Sequence, residues 1–394
     1  NNPGSSAAEL SRLSKLAPQT VAAILDDLDK AGLVKAGQVL RGRRGQPATP
    51  YFVNPDAAYT IGIEVGWQHV EARLVNIGGN GRCYVLPEHL GWDPTEPGNH
   101  DGTVGTLELG DDVYIYAVQH NDGRARLVAS KNITVPDGYT ADNSRKIGGF
   151  HYGRVRPVAQ RYNAAFVPPV QIVPNSVWDL RHRPTCDPTG MVEVVPGKLW
   201  VDIYLNSEGS GTWPENIPVS RYGVMPIRDD IYARVDFHLL ARNAGKRLPT
   251  VEEFLTYAEG APQGNDGDND TAWSATTNTG PTNTGAVAKA VSMFNVVDAA
   301  GNLWDWLDDH YDLGLENRPA LTTDIVDVGK DAAFARGQSY TYVYGASGAS
   351  SWRCFLGGGH FGNGVRCGSR CLHSGAGPWG AGGDVGLRCV CDAL

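Results

Sequence analysis

Apolar positions recur at helical spacing twice near the start of the chain. Leu10, Leu13 and Leu16 form one stripe; Val21, Ile24, Leu25 and Leu28 form the second. Residues three and four apart share a helix face, so the stripes predict two short helices. Pro18 breaks the first and suits the opening position of the second, which Gly32 ends. From Val34 to Tyr51 the pattern is that of a β-ribbon with a basic tip, Arg41-Gly42-Arg43-Arg44-Gly45. Residues 1–56 thus read as a winged-helix-like segment. In that layout a helix enters the DNA major groove, and Arg41, Arg43 and Arg44 neutralise phosphates. Residues 1–56 hold seven Lys and Arg against five Asp and Glu. A small helical adaptor with a solvated loop fits the same pattern.

Residues 57–102 read as a hairpin and a turn-rich linker. Val113–Val118 is a run of β-branched and aromatic residues, Asn121-Asp122-Gly123 is a hairpin turn, and Ala125–Ala129 returns. With Gly148-Gly149-Phe150-His151-Tyr152 they predict a small antiparallel β module over 103–155. Residues 156–394 form one larger domain. "SVWDLRHRP" and "KLWVDIYL" supply strands and Trp anchors, and 231–243 is helical. Pro249-Thr250 ahead of Glu252 and Glu253 marks another helix start. Asp266, Asp268 and Asp270 alternate as Ca2+ ligands do, but the closing Glu of an EF-hand is missing, so 262–285 reads as a solvated loop.

Composition narrows the function classes. With 34 Lys and Arg against 43 Asp and Glu, the net charge of −9 excludes a surface that is wholly a nucleic-acid or anionic-membrane platform. No stretch approaches the roughly 18 apolar residues of a membrane span, so no membrane insertion is expected. Asn1–Glu9 shows no signal-peptide pattern. Of seven cysteines, Cys83 and Cys186 are isolated, whereas Cys354, Cys367, Cys371, Cys389 and Cys391 crowd the last 41 residues. They read as buried thiols with one bridge allowed, or as a metal or redox site. The C-x3-C and C-x-C spacings suit zinc poorly, and no cofactor is expected.

Three resemblances add to this reading. "LSRLSKLAPQTVAAILDDLDKAGLV" and "RGRRGQPATPYFVNPD" resemble the N-terminal part of ROK-family repressors, and "YTIGIEVGWQHVEARLVNIGG" resembles the opening hairpin of the ROK sugar-kinase domain. That family has a Gly-Gly-Thr turn facing the nucleotide phosphates. Here Gly66-Trp67-Gln68 stands there, and bulky side chains block the backbone approach a phosphate needs. Kinase activity is not expected, whereas DNA binding stays open. "GKRLPTVEEFLTYA", "NVVDAAGNLWDWLDDHY" and the R-x-C-x-C terminus resemble the formylglycine-generating-enzyme type of C-type lectin fold. Finally, "RKIGGFHY", "SVWDLRHRP", "DPTGM", "KLWVDIYL", "GKRLP", "GNLWDW", "GSRC" and "GLRCVCDAL" occur in the order expected of the phage tropism-determinant family of retroelement-diversified variable proteins. The fold class expected is therefore α+β: a C-terminal C-type lectin fold, the small antiparallel β module before it, and the winged-helix-like segment at the start.

The last resemblance implies a binder with a hypervariable surface and no catalytic residues. Its mutagenesis acts on template adenines, chiefly in Asn codons, and cannot yield Lys, Glu, Gln, Met or Trp from them. These first four types total 34 in residues 1–338 and zero in 339–394, where the same frequency gives about five or six. Gly357-Gly358 and Gly368-Ser369-Arg370 read as fixed frame. The variable face is expected at Gly359, His360, Phe361, Asn363, Val365 and Arg366. It continues through Leu372, His373, Ser374, Gly375, Ala376 and Gly377 to Gly380, Gly382 and Asp384, with Trp379 as a fixed anchor. These runs mix chemistries with no period of 2 or 3.6, which suits a surface better than a core strand. Large or charged groups dominate binding hot spots, which favours His360, Phe361, Arg366, Leu372 and His373. The resemblance implies a host or cell-surface protein or glycan as partner, a homotrimer, and a place on a phage particle or cell surface. The alternatives are a DNA-binding regulator with a lectin-like sensor domain and a formylglycine-generating-type copper oxidase. An oxidase would need a fixed Cys pair, for which Cys367 and Cys371 stand in a different register from the family's C-x4-C.

Overall fold

The computed structural model describes residues 5–14, 17–30, 34–37, 49–53, 62–66, 69–73, 75–76, 83–84, 89–90, 92–121, 124–228, 230–262, 280–312, 324–330, 338–343, 352–363, 367–380 and 382–394. Arg41, Arg43, Arg44, Trp67, Gln68, the acidic run Asp266–Asp270, Val365 and Arg366 lie outside them. The chain divides into two units. The first holds 1–92, 117–127 and 138–145; the second holds 93–116, 128–137 and 146–394.

In the first unit helix Ala7–Ser14 holds Leu10 and Leu13 of the first stripe, Leu16 lying outside the described residues, and helix Pro18–Lys30 holds the second stripe. Ser6 and Glu9 cap the first reciprocally: Glu9 N–H donates to Ser6 Oγ at 3.3 Å and Ser6 N–H to Glu9 Oε2 at 3.0 Å. Val21 and Leu25 are buried on the second helix, while Ile24 is exposed. Strand Pro50–Val53 lies between Ser5–Ser6 and Val34–Ala36, antiparallel to both. The Gly62–Gly66 and His69–Arg73 strands form an antiparallel hairpin.

The expected β module is a sheet with strand order Ala125–Ser130, Asp111–Gln119, Ser144–Arg154, Val170–Ile172; Trp178–Asp179 also pairs with Ser144–Arg154. Gly148 and Gly149 are fixed by Trp178. A Cβ on Gly148 would lie 2.7 Å from the Trp178 carbonyl, and one on Gly149 would lie 2.8 Å from the indole Nε1. The two motifs "RKIGGFHY" and "SVWDLRHRP" therefore meet face to face.

The rest is mostly sheet with few helices, a mixed α+β architecture. Met191–Val195, Leu199–Asp202 and Val390–Asp392 form one antiparallel sheet, which the end of the described chain completes. A second sheet has six strands in the order Asp324–Lys330, Gln338–Val343, Leu372–Ala376, Trp352–Gly357, Trp304–Asp312, Val385–Gly386. Helix Arg234–Asn243 starts three residues later than the sequence predicts, with Asp236 accepting the Ala233 N–H at 2.9 Å. Helix Val251–Tyr257 begins where expected: Thr250 Oγ1 accepts from Glu253 N–H, and Glu253 returns a bond to the Thr250 N–H.

Two apolar cores result. One gathers Val192, Val201, Ile203, Phe254, Tyr257 and Val390; the other gathers Phe237, Leu240, Trp304, Trp306, Leu356 and Leu387. Each large side chain buried here contributes roughly 1.5–3 kcal/mol. Between them run buried ion pairs that join the sequence motifs. Arg388 Nε donates to Asp305 Oδ2 at 2.9 Å, its NH1 to the Asp202 and Ile203 carbonyls and its NH2 to that of Val297; Tyr257 OH also donates to Asp305 Oδ2 at 2.6 Å. Lys246 Nζ lies 2.6 Å from Asp202 Oδ1. Thus "GNLWDW" is tied to "GLRC", and "KLWVDIYL" to "GKRLP".

Candidate ligand-binding face

The candidate face hangs on the six-stranded sheet. Leu356 pairs with His373 and Gly357 with Leu372, so the 352–357 strand hands the chain to the expected variable segment beside its continuation. Three consecutive glycines make that handover. A Cβ on Gly357 would lie 2.8 Å from the Phe254 ring, one on Gly358 2.8 Å from the Ala299 carbonyl, and one on Gly359 2.9 Å from both Cys367 Cα and Sγ. Gly358 and Gly359 also have φ of 96° and 88°, which side chains rarely adopt. Gly359 is therefore a buried part of the frame with no room for a contact side chain.

Beyond Gly359 the chain turns tightly. His360 N–H donates to Asn363 Oδ1 at 2.8 Å, Asn363 N–H donates back to the His360 carbonyl at 2.9 Å, and Cys367 Sγ lies 3.1 Å from the same carbonyl. Phe361 N–H donates to the Asn302 carbonyl at 2.9 Å, which anchors the turn to the Gly301-Asn302 corner. The His360 ring packs edge-on against Phe361 with centroids 4.8 Å apart, and His360 Nε2 lies 3.9 Å from Asp384 Oδ2. Trp304 connects the halves of the face: its ring centroid lies 6.3 Å from that of His360 and 5.7 Å from that of His373. Both imidazoles are held below the usual histidine range by burial, which outweighs the attraction of Asp384; His373 falls to about 4. Both are therefore neutral at pH 7.

The second run is mixed. Ser374 is buried and its carbonyl accepts from Tyr311 OH. Leu372 and Ala376 are half-buried against the two cores. Gly375 N–H donates to His373 Nδ1 at 3.4 Å. The third run is open. Trp379 is 72% exposed, a Cβ on Gly377 would meet nothing within 4 Å, and one on Gly380 only the Gly377 carbonyl at 3.4 Å. A Cβ on Gly382 would meet only the movable Asp384 carboxylate. The structure thus brings His360, Phe361, His373 and Asp384 together around Trp304. Trp304 is not among the face residues expected from the sequence.

Cys367 and Cys371 are both fully buried, and burial raises the Cys367 thiol to about 12. Cys371 packs with Cys354, Cys389, Trp304 and Trp306 in the second core.

The chain is similar to known proteins in sequence and in fold. Residues 68–179 match the Mtd second domain. The tail fiber receptor-binding protein of Bordetella phage BPP-1 is 32% identical over 220 residues, covering 52% of this chain and 55% of that protein; the chain thus spans about half of that curated relative's length. Two solved structures, the M1 and U1 variants of the Major Tropism Determinant, are each 25% identical with TM-scores of 0.58 and 0.57. They cover 85% and 86% of this chain, and 84% of each determinant is covered. In sequence over residues 68–179, and in fold over most of its length, this chain is similar to the phage tropism determinants.

Proposed function

We propose that the chain is a non-catalytic receptor-binding protein that engages a host cell-surface molecule through the 360–384 face, diversified by a retroelement. The observation that carries this is the contrast within the segment. Gly357, Gly358, Gly359, Cys367 and Cys371 are packed without slack, whereas Gly377, Trp379, Gly380 and Gly382 front open space. A rigid frame around chemically indifferent positions can change specificity without refolding. The receptor-binding relative supports the same reading. Val365 and Arg366, expected within the face, belong to the proposal on sequence grounds, as do a homotrimer and a protein or glycan receptor. Repeated copies would turn weak single contacts into avid binding.

The test is sequencing of this gene across a population. Substitutions are expected within codons 360–384, at sites that are adenine in a nearby repeat beside a reverse-transcriptase gene. Codons 357–359, 367 and 371 are expected to stay constant. An unvarying segment with no such repeat overturns the proposal.

A second reading concerns the first unit alone. The strand order 5–6, 50–53, 34–36 beside two short helices supports a winged-helix arrangement, in which Arg41, Arg43 and Arg44 would contact DNA phosphates. Fluorescence anisotropy with duplex DNA at two salt concentrations tests it. Binding that weakens steeply with salt supports it, and none at 50 mM salt overturns it.

A further inference from the structure

Cys186 looks isolated in the sequence, some 200 residues from the cysteines at the end. The fold brings it to one of them. Pro184 and Ala393 form an antiparallel bridge, flanked by hydrogen bonds from Leu394 N–H to the Arg183 carbonyl (2.9 Å) and from Thr185 N–H to the Asp392 carbonyl (3.0 Å). Continuing that register by two residues sets Cys186 opposite Cys391. The pair has the same type as Pro184 and Ala393, with no backbone bond directly between the partners. Such pairs bring their Cα atoms to about 4.5 Å, within the span of roughly 4.4–6.8 Å that a disulfide accepts.

The side chains agree with the register. Thr185 Oγ1 lies 3.1 Å from Cys391 Sγ, which is also 3.9 Å from the Gly245 carbonyl, while Cys186 Sγ lies 3.6 Å from the Asp187 carbonyl and 3.5 Å from Met191 Sδ. Cys389, two residues away, is buried in the second core with Cys354 and Cys371. Gly245, at φ 69°, passes so close that a Cβ there would lie 3.6 Å from Cys186 Cβ. Cys186 is half-buried and within reach of a small molecule; Cys391 is 4% exposed. The hydrogen bond between the two raises the Cys186 thiol and, with Thr185, lowers the Cys391 thiol to about 6, so the pair holds one thiol and one thiolate at pH 7.

We propose that Cys186 and Cys391 are an oxidation site, closed by a low-molecular-weight disulfide such as oxidised glutathione into a cross-strand bridge that locks the end of the lectin-type domain. The thiolate of the pair attacks one sulfur of the oxidant, whose S–S bond breaks; one glutathione leaves as its thiolate and takes the proton of the partner thiol, and a mixed disulfide forms. The partner sulfur then displaces the second glutathione and the protein S–S bond forms. One protein thiol and one thiolate are oxidised, and the glutathione disulfide is reduced to one thiol and one thiolate. The bridge ties the 183–186 segment to the Val390–Asp392 strand, which pairs with Leu199–Asp202 and, at Val390, with Arg247. It is independent of any receptor.

The full chain is incubated with oxidised or reduced glutathione, capped with iodoacetamide and digested without reductant for mass spectrometry; thermal melts are run in parallel. The expected result is a peptide pair joined through Cys186 and Cys391, with a Tm about 5–10 °C higher in the oxidised protein. Cys186→Ser, which alters the more accessible partner, should fold, yield no such pair and show no oxidation-dependent shift. Cys186 alkylated after oxidation, a bridge from Cys391 to Cys389 instead, or a 186–391 bridge with unchanged Tm each overturns the proposal.

Discussion

Glycine serves opposite purposes at neighbouring positions of the face. Gly358 lies at φ 96° with its missing Cβ 2.8 Å from a carbonyl oxygen, while Gly380 is exposed with room around it. Gly358→Ala should cost about 1–3 kcal/mol from strain and crowding, whereas Gly380→Ala should stay within about 0.5 kcal/mol of the parent. Urea unfolding of the two variants measures both. His373 offers a pH test. Its folded value of about 4 lies below the ordinary 6.5, so the unfolded chain takes up the proton first as pH falls. The group's contribution is therefore complete above pH 6.5 and is lost progressively down to about pH 4, by roughly 1–3 kcal/mol. Asp298 acts oppositely, since burial raises it to about 6: its contribution is complete below 3.8 and fades as pH rises through 6. The informative quantity is thus the difference between parent and His373→Asn. That difference should narrow as pH drops from 7 to 4, and a constant gap would contradict the assignment.

At the scale of elements, local signals and long-range ties carry different weight. Thr250 caps helix Val251–Tyr257 through its side chain, so Thr250→Ala should lower stability by about 1 kcal/mol in chemical denaturation. Arg388 and Asp305 are both buried, and Arg388→Met would leave a carboxylate without its cation. That should cost about 3–5 kcal/mol, while Asp305→Leu combined with Arg388→Met should recover part of the loss. The first feature was legible in the sequence and the second was not, for a physical reason. The cap is a four-residue pattern from Thr250 to Glu253, and the 111–119 and 125–130 strands are likewise read from contiguous sequence. The partners of Arg388 lie 83 to 186 residues away, and no periodicity points to them. The same holds within the face. The expectation of a variable segment after Gly357 rests on composition, whereas the burial of Gly359 and Ser374 and the central place of Trp304 depend on where Phe254, Cys367 and Tyr311 arrive.

At the scale of the whole molecule, the proposed binding segment sits between two tightly packed parts of the lectin-like domain. Before it come the glycines that touch Phe254 and Ala299; after it comes Arg388, locked by four acceptors. A domain with such edges can tolerate change between them, because the stabilising free energy lies in groups that do not vary. This gives an expected outcome for two libraries of the full chain. One randomises Gly377, Gly380 and Gly382; the other randomises Gly357, Gly358 and Gly359. Most members of the first should be soluble with a Tm within about 3 °C of the parent, since exposed substitutions away from packed features change stability by about 0.5 kcal/mol or less. Most members of the second should be insoluble or melt well below it. Equal tolerance in the two libraries would mean that the frame is not what isolates the face from the fold.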